Sequence, residues 1–441
     1  MLQKTNLSRR EFIKKSTAGA AGLTVASNLF SLGNVLGANE RVRVAAIGTG
    51  RRCRSLIRGF HQFSKEMNME MVAVCDLWKI AREEGTKLVE ELSGKKPKVY
   101  RNTDELYEKE KNLDAVIIGT GDFQHAIPCA EAVRLGKDVY VEKPLANNFD
   151  DARNVRKAVL ESDRVVQMGT QRRSSGHYKT AKKIIESGAF GELRIVEMNW
   201  NVNQPKRWRR EEEAALLREE DVDWKRWLLN RPYQPFDPRK YLEFRLFWPY
   251  SSGLPCQWMS HQIDTVAWFA DDPYPAEVAA LGDIYQWKDG RENPDTFAAV
   301  FKYPKGFQVN YTARQTNSYG GTKEVYLSNL GALDTGQWIL SGDGGRDGVR
   351  PTGKNGNLLE ETYVDDKGRN RTKGISEPIV PTEQGEDHIK NWMECLRSRK
   401  TPNADIEAGY SHSVALCMVI EAMHTGKRVR FDPDKHEILV D

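Results

Sequence analysis

The residues in this chain whose types and spacing could do chemistry begin with Lys143, in the run Asp138-Val139-Tyr140-Val141-Glu142-Lys143-Pro144. Val139, Tyr140 and Val141 make a β-branched and aromatic run after Gly136, as a buried strand does, and Glu142-Lys143-Pro144 breaks it. A lysine at that break stands at the carboxyl edge of a sheet, where open α/β folds bind ligands. The proline after it confines its backbone to an extended or turn conformation. Its ammonium is then aimed; a solvated strand-end lysine is the plain alternative. Upstream, Gly48-Thr49-Gly50-Arg51-Arg52-Cys53 offers a glycine turn. Gly48 would allow the tight turn, and Gly50 the close approach of a pyrophosphate to backbone N–H groups at a helix N-terminus. Cys53 replaces the third glycine of the GxGxxG fingerprint, and a small thiol still permits close helix-to-sheet packing. Asp76 follows Gly50 at close to the spacing of an acid that binds both ribose hydroxyls. Such an acid repels a 2′-phosphate and favours NAD(H) over NADP(H), with Lys79, Arg51 and Arg52 as the cations that could neutralise that phosphate.

The elements that must position these groups alternate. Val42 to Gly48, Glu70 to Asp76, Lys98 to Arg101, Asp114 to Thr120, Asp138 to Pro144 and Val165 to Gln171 read as strands. Between them, Arg51 to Ser64, Ile80 to Leu92, Asp104 to Lys109, Phe123 to Leu135 and Asp150 to Glu161 read as helices. Strands separated by single helices imply parallel crossovers and a doubly wound α/β sheet. The expected domains are a leader at 1–38, a Rossmann dinucleotide-binding domain at 39–171, and a substrate and oligomerisation domain at 172–441.

Composition bounds the partners. With 39% hydrophobic and 29% charged residues the chain has an ordinary soluble balance. Its formal charge of +4 is the excess carried by residues 1 to 38, where Lys4, Arg9, Arg10, Lys14 and Lys15 face only Glu11. The body is neutral, so the electrostatic footprint of a nucleic-acid partner is absent. Ser8-Arg9-Arg10-Glu11-Phe12-Ile13-Lys14-Lys15 resembles the twin-arginine export signal, and Thr17 to Ala38 fits the weakly apolar region of such a signal. The expectation is export to the periplasm by the twin-arginine machinery. Cys53, Cys75, Cys129, Cys256, Cys395 and Cys417 show no metal-ligand or CxxC spacing, so no metal site is expected and the thiols read as small buried residues.

In order, AAIGTG, VAVCD, AVIIGTG, RLGK and DVYVEKP resemble the motifs of the glucose-fructose oxidoreductase, inositol dehydrogenase and MocA (Gfo/Idh/MocA) family. Weaker similarity runs on through GTQRR, GAFGELRIVE and SHQID. The resemblance implies a Rossmann domain followed by an α/β domain with an open, mostly antiparallel sheet, and hydride exchange between a nicotinamide and a sugar or polyol. By it Lys143 is the catalytic lysine beside the nicotinamide, with Glu142 next to it in the same motif. His125, in GDFQH, matches a position near the cofactor, and a histidine held for packing stays open there.

Past Gln171, His177 to Ser187 reads as a helix, and Leu193 to Val202, Glu277 to Trp287, Thr296 to Tyr303, Gly306 to Thr312, Glu324 to Asn329 and Gly331 to Ile339 as strands. Gly342 to Ser376 reads as a surface loop, and Glu386 to Ser398 and Glu407 to Met423 as closing helices. Tryptophans crowd the stretch from Trp200 to Trp287, either to cover a sugar ring or to pack a loop-rich region. The second catalytic candidate is His261. Family members resembling inositol dehydrogenase carry an Asp four residues before this His, on one helix face, and here that position is Gln257. A glutamine cannot take a proton, which puts a carboxylate relay in doubt. Gln171, Arg173, Trp248, Tyr250, Gln257 and Asp264 are the candidate substrate contacts.

An exported enzyme meets no free nicotinamide pool, so the cofactor must be loaded beforehand and held tightly. The expected function is an NAD(H)-dependent oxidoreductase of a sugar, sugar derivative or polyol, working as a homo-oligomer. The alternatives are an NAD-dependent glycoside hydrolase or lyase acting by transient oxidation, and a non-catalytic NAD- or sugar-binding protein.

Overall fold

The computed structural model describes residues 40–343 and 359–441; the expected leader at 1–38, and residues 344–358 of the expected surface loop, lie outside them. The alternating apolar runs become one parallel sheet. β1 (Val42–Ile47), β2 (Met69–Cys75), β3 (Lys98–Tyr100), β4 (Ala115–Ile118), β5 (Asp138–Val141) and β6 (Val166–Met168) lie in the order β3-β2-β1-β4-β5-β6. β4 and β5 are buried at every position, which is why they read as continuous apolar runs rather than alternating ones. Between β1 and β4 the strand order reverses, and the crevice this opens lies at their carboxyl ends.

The glycine turn is fixed by what surrounds it. Gly48 has φ +78°, and a Cβ there would stand 2.6 Å from the Thr120 side chain. Cys53, the larger residue at the third fingerprint position, is accommodated from the other side: a Cβ on Gly119, just past β4, would fall 2.7 Å from that of Cys53. The helix Arg51–Ser64 can therefore still sit close to the sheet. Its face of Cys53, Leu56, Ile57 and Phe60 shares a core with Ile389, Trp392, Met393 and Leu396 of the helix His388–Ser398, so a late segment of the chain covers one side of the first sheet.

The second sheet is mixed and mostly antiparallel. β7 (Leu193–Asn201) pairs in parallel with β10 (Gln308–Arg314), and every other neighbouring pair is antiparallel. β8 (Glu277–Asp283), β9 (Thr296–Lys302) and β11 (Thr322–Ser328) follow the alternating runs. The run Gly331 to Ile339 divides into a hairpin of β12 (Gly331–Asp334) and β13 (Ile339–Gly342). The expected loop after Gly342 contains a separate hairpin, β14 (Glu360–Val364) with β15 (Asn370–Gly374), and the edge strand β16 (Ser376–Pro378). A closing hairpin, β17 (Val429–Asp432) and β18 (Glu437–Val440), joins the opposite edge of the sheet. Helices Ser260–Ala270 and Ile406–Thr425 supply core beneath this sheet; the second is buried nearly all round, as its continuous apolar sequence requires.

The tryptophan-rich segment 203–250 straps the carboxyl edge of the first sheet with short helices and turns. Val222 bridges Trp78 just past β2, and the Asp223 N–H donates to the Leu77 carbonyl at 3.2 Å. Gln124 Nε2 donates to the Trp227 carbonyl at 2.7 Å, and Arg231 donates to Asp151 at 3.1 Å and Asn147 at 3.0 Å. Trp224 stacks on Trp227 at 4.8 Å, and Trp227 lies 4.9 Å from Phe123 and 4.7 Å from Tyr250. These tryptophans are the strap's own core.

Candidate active site

A cleft of about 1080 Å³ runs along the carboxyl edge of β1, β2 and β4 and under the strap. Gly48, Gly50, Arg51, Arg52 and Asp76 line it from below, with Trp208, Tyr241 and Arg245 among the strap residues above. Its shape suits a dinucleotide. A Cβ on Gly50 would meet nothing within 4 Å, so there is open space above the turn. No side chain caps the N-terminus of the helix Arg51–Ser64, which leaves its first N–H groups for a phosphate. Asp76 accepts from the Trp78 N–H at 2.8 Å and keeps lone pairs for ribose hydroxyls. Burial is the main cause that pushes its carboxyl up to about 6. Arg51 and Arg52 are not loose cations: Arg51 pairs with Glu213 of the strap at 3.3 Å and Arg52 with the buried Glu142 at 2.6 Å. Glu142 thus contributes by holding Arg52 beside the turn.

Lys143, at the end of β5, is not among the residues that line this cleft. Its Nζ donates to the Gln257 carbonyl at 2.9 Å, across from the π-helical turn Pro255–Met259. Burial lowers its pKa; Asp122 and Glu142 pull it back up, and Arg245 adds to the lowering. The backbone after it is clamped. Leu145 N–H donates to His412 Nε2 at 3.1 Å, and Ala146 N–H to Ser413 Oγ at 3.2 Å. His125 lies behind the same turn, Nδ1 2.6 Å from the Pro144 carbonyl and Nε2 3.2 Å from that of Thr120. Both carbonyls accept, and a neutral imidazole has one N–H to give, so His125 donates to one of them, the shorter contact being to Pro144, and packs behind the lysine turn rather than lining the cleft.

The site holds a carboxylate that sequence reasoning did not single out. Asp122 Oδ2 accepts from Gln257 Nε2 and from Ser251 Oγ, both at 2.6 Å, and the residue is 2% exposed. The acid absent at position 257 is matched by one reaching over from the first sheet. Its only sequence signal is its place after the Gly119-Thr120-Gly121 turn that ends β4. His261, one turn beyond Gln257, lies 6.2 Å from the Trp200 ring, and its own ring makes no hydrogen bond among the described residues. Burial, followed by the charges of Lys143, Arg172 and Arg52, holds its pKa well below the usual range, so it rests as neutral imidazole.

Other expected contacts are spoken for. Arg173 and Asp264 form a bidentate pair at 2.9 to 3.1 Å, with Asp264 1% exposed, so Asp264 braces the helix Ser260–Ala270 against the turn after β6. Gln171 donates to Tyr140 Oη at 3.2 Å and to Glu142 at 3.4 Å. Trp248 packs 4.7 Å from His424, and Tyr250 is fully buried against Phe123 and Trp227. Neither lines the cleft.

Against known proteins, the model of the GFO_IDH_MocA oxidoreductase family, NAD-binding Rossmann fold, matches residues 42–170, and that of its C-terminal alpha/beta domain matches 229–431. Much of the strap falls between the two. The inositol 2-dehydrogenase of Pseudomonas fluorescens is 32% identical over 206 residues, 45% of this chain and 59% of that protein. The inositol 2-dehydrogenase/D-chiro-inositol 3-dehydrogenase of Shouchella clausii is 29% identical over 195 residues, 44% of this chain and 54% of that one. The chain thus spans little more than half the length of these relatives. Among solved structures, the WlbA dehydrogenase of Bordetella pertussis, in complex with NADH and UDP-GlcNAcA, superposes with TM-score 0.62 at 17% identity, over 89% of this chain and 99% of that one. The myo-inositol 2-dehydrogenase of Lactobacillus plantarum gives TM-score 0.62 at 18% identity, over 89% and 100%. At such identities these likenesses speak for the fold.

Proposed function

Since this chain belongs to the Gfo/Idh/MocA oxidoreductase family, we propose that it is an NAD(H)-dependent oxidoreductase acting on a sugar, a sugar derivative or a polyol. The observation that carries this reading is Lys143, a half-buried ammonium at the end of β5 held by the Gln257 carbonyl, with Asp122 as its strongest counter-charge. A bound nicotinamide would supply the acceptor or donor of a hydride. Lys143 donates a hydrogen bond to the reacting oxygen and stabilises the negative charge that develops there. Gln257, its amide nitrogen committed to Asp122, offers Oε1 to orient a substrate hydroxyl, and neutral His261 accepts the hydroxyl proton. The names of the inositol dehydrogenases above support a polyol or sugar.

The proposal extends to the cell. The leader takes the folded enzyme to the periplasm through the twin-arginine machinery, with NAD(H) tightly held. Exposed Ile195, Leu281 and Val300 on the second sheet support a homo-oligomer. The test has two parts. Denatured, purified protein is expected to release NAD(H), and Lys143→Met is expected to keep the nucleotide while losing at least about two orders of magnitude in NADH formation on a sugar and polyol panel. A parent protein that neither carries nor binds NAD, or a Lys143→Met protein with parental turnover, refutes the reading.

A second reading, redox-neutral cleavage of a glycoside, is favoured by one relative. A glycosyl hydrolase family 109 protein of Shewanella baltica is 25% identical over 224 residues, 45% of this chain and 48% of that protein. Release of the aryl alcohol from an aryl glycoside without net NADH would move this reading to first place. A non-catalytic binding protein would give neither product.

A further inference from the structure

Lys143 and the two residues it works with come from different parts of the fold. The lysine follows β5 of the first sheet, whereas Gln257 and His261 lie on the π-helical turn Pro255–Met259 and the helix Ser260–Ala270, beneath the second. Its ammonium reaches across to the Gln257 carbonyl, but a flexible four-carbon stem does not by itself keep a proton donor in register with groups on another element. The backbone that carries the lysine must be fixed against those helices. The helix Ile406–Thr425 supplies a face that does this: Gly409, His412 and Ser413, spaced three and four residues apart. Leu145 N–H donates to His412 Nε2 at 3.1 Å and Ala146 N–H to Ser413 Oγ at 3.2 Å, so two successive amides of the lysine turn meet two successive side chains. Gly409 permits the approach, since a Cβ there would stand 2.7 Å from Met168 Sδ in β6 and 3.0 Å from Leu145 Cδ2.

Leu145, Ala146, His412 and Ser413 are all buried, so no water stands in for either acceptor. For Nε2 to accept, the neutral His412 ring carries its proton on Nδ1. That buried Nδ1 is poorly served, with the Ala408 carbonyl one turn back as an ill-aligned acceptor. A buried donor left in this state calls for a reason beyond packing. The other edge of the same peptide group is also held: the Pro144 carbonyl stands 2.6 Å from Nδ1 of the buried His125. The peptide between Pro144 and Leu145 thus lies between two imidazoles, one from the first domain facing its oxygen and one from the second accepting from its nitrogen. The helix of His412 packs directly on Ser260–Ala270 within one core, so a turn fixed to the first helix is fixed relative to His261 on the second.

We propose that His412, seconded by Ser413, is a positioning residue for Lys143: it references the lysine turn to the helices that carry Gln257 and His261, and so sets where the ammonium meets the reacting oxygen. The inference rests on the oxidoreductase reading for the role of Lys143, but its first test needs no turnover. Competitive acetylation of the nucleotide-free protein across pH, read by mass spectrometry, gives the titration midpoint of Lys143, with Lys143→Met as the blank. His412→Leu removes the acceptor at similar size, and His412→Gln offers Oε1 near the place of Nε2. Ser413→Ala is the milder change should His412→Leu not fold, folding being checked by circular dichroism. In folded His412→Leu, or in Ser413→Ala, the ammonium is expected to slip from the Gln257 carbonyl toward solvent. Burial is what holds its pKa down, so the midpoint should rise, by at least about a threefold change in proton affinity. His412→Gln should return it toward the parental value. On any sugar or polyol that the parent oxidises, kcat should fall about tenfold or more in His412→Leu, with KM and NAD affinity within about twofold, and recover in His412→Gln. A histidine that only packs would lower the unfolding temperature and leave the Lys143 midpoint unmoved. An unmoved midpoint in the folded variants, or a His412→Gln protein no nearer the parent than His412→Leu, overturns the proposal. A parent that forms no NADH counts against the oxidoreductase reading alone, since the midpoint still decides what His412 does to the lysine.

Discussion

Replacing Asp76 with Asn separates what the acid does for the nucleotide from what it does to the fold. In the nucleotide-free protein, burial is the leading cause that raises its carboxyl from 3.8 to about 6, against the pull of the Trp78 and Thr49 backbone N–H groups and of Arg82. Between those values the folded protein holds a proton that the unfolded chain has released. This contribution to stability is therefore complete below the unfolded value and is lost as pH rises through about 6. At about 1.4 kcal/mol per pH unit, keeping the bare carboxylate folded at neutral pH costs up to about 3 kcal/mol, and its partial contact with solvent brings this to about 1 to 3 kcal/mol. An Asn fits the same place. Its Oδ1 can accept from the Trp78 N–H, and its Nδ2 can donate to Thr49 Oγ1, whose own hydrogen goes to the Ala81 carbonyl at 2.7 Å; the Thr49 N–H loses its acceptor, which offsets part of the gain. Urea unfolding followed by tryptophan fluorescence from about pH 4 to about pH 8 should then show nucleotide-free Asp76→Asn to be the more stable protein at the upper end, with the difference closing toward the lower end. Over the same change NAD should bind about 1 to 3 kcal/mol more weakly and NADP nearly as before. A variant less stable than the parent at neutral pH, or one that loses NAD and NADP affinity equally, refutes the assignment of Asp76 as a strained, NAD-selecting acid.

Asp122→Asn keeps an acceptor for Ser251 and Gln257 but removes the charge that holds up the Lys143 pKa; the alkaline limb of the rate–pH profile should move to lower pH, and an unmoved limb would detach Asp122 from the lysine. Asp264→Ala strands the buried Arg173 guanidinium, so thermal or urea unfolding should show a loss of about 3 to 5 kcal/mol, largely recovered in Arg173→Met/Asp264→Leu; a variant of parental stability with a raised KM would return Asp264 to the substrate. Gln257→Asp places a second carboxyl against Asp122, and the pair should share one proton and titrate in two steps visible in the rate–pH profile. A single unchanged limb would show that the two side chains do not meet.

Much of this protein is legible in its residue types alone. The buried runs of the first sheet, the left-handed glycine at 48, the acid closing β2 and the lysine closing β5 all follow from local rules, because side-chain periodicity and turn chemistry are decided within a few residues. The short edge hairpin β17–β18 was not legible, since four-residue strands at a sheet edge carry too little pattern to stand out. Periodicity reports that a side chain is buried, not against what, and partner choice was left to tertiary packing. The helix His388–Ser398 announces an apolar face, but only the fold seats that face on the first sheet. Arg173 and Asp264 both looked like substrate contacts until packing buried them together, where neither charge is tolerable alone. Gln257 read as the loss of an acid, and only the folded chain brings Asp122, 135 residues away, onto its amide. The same packing draws the strap across the cleft and pairs Arg209, Arg210 and Arg226 with carboxylates that no local pattern announces.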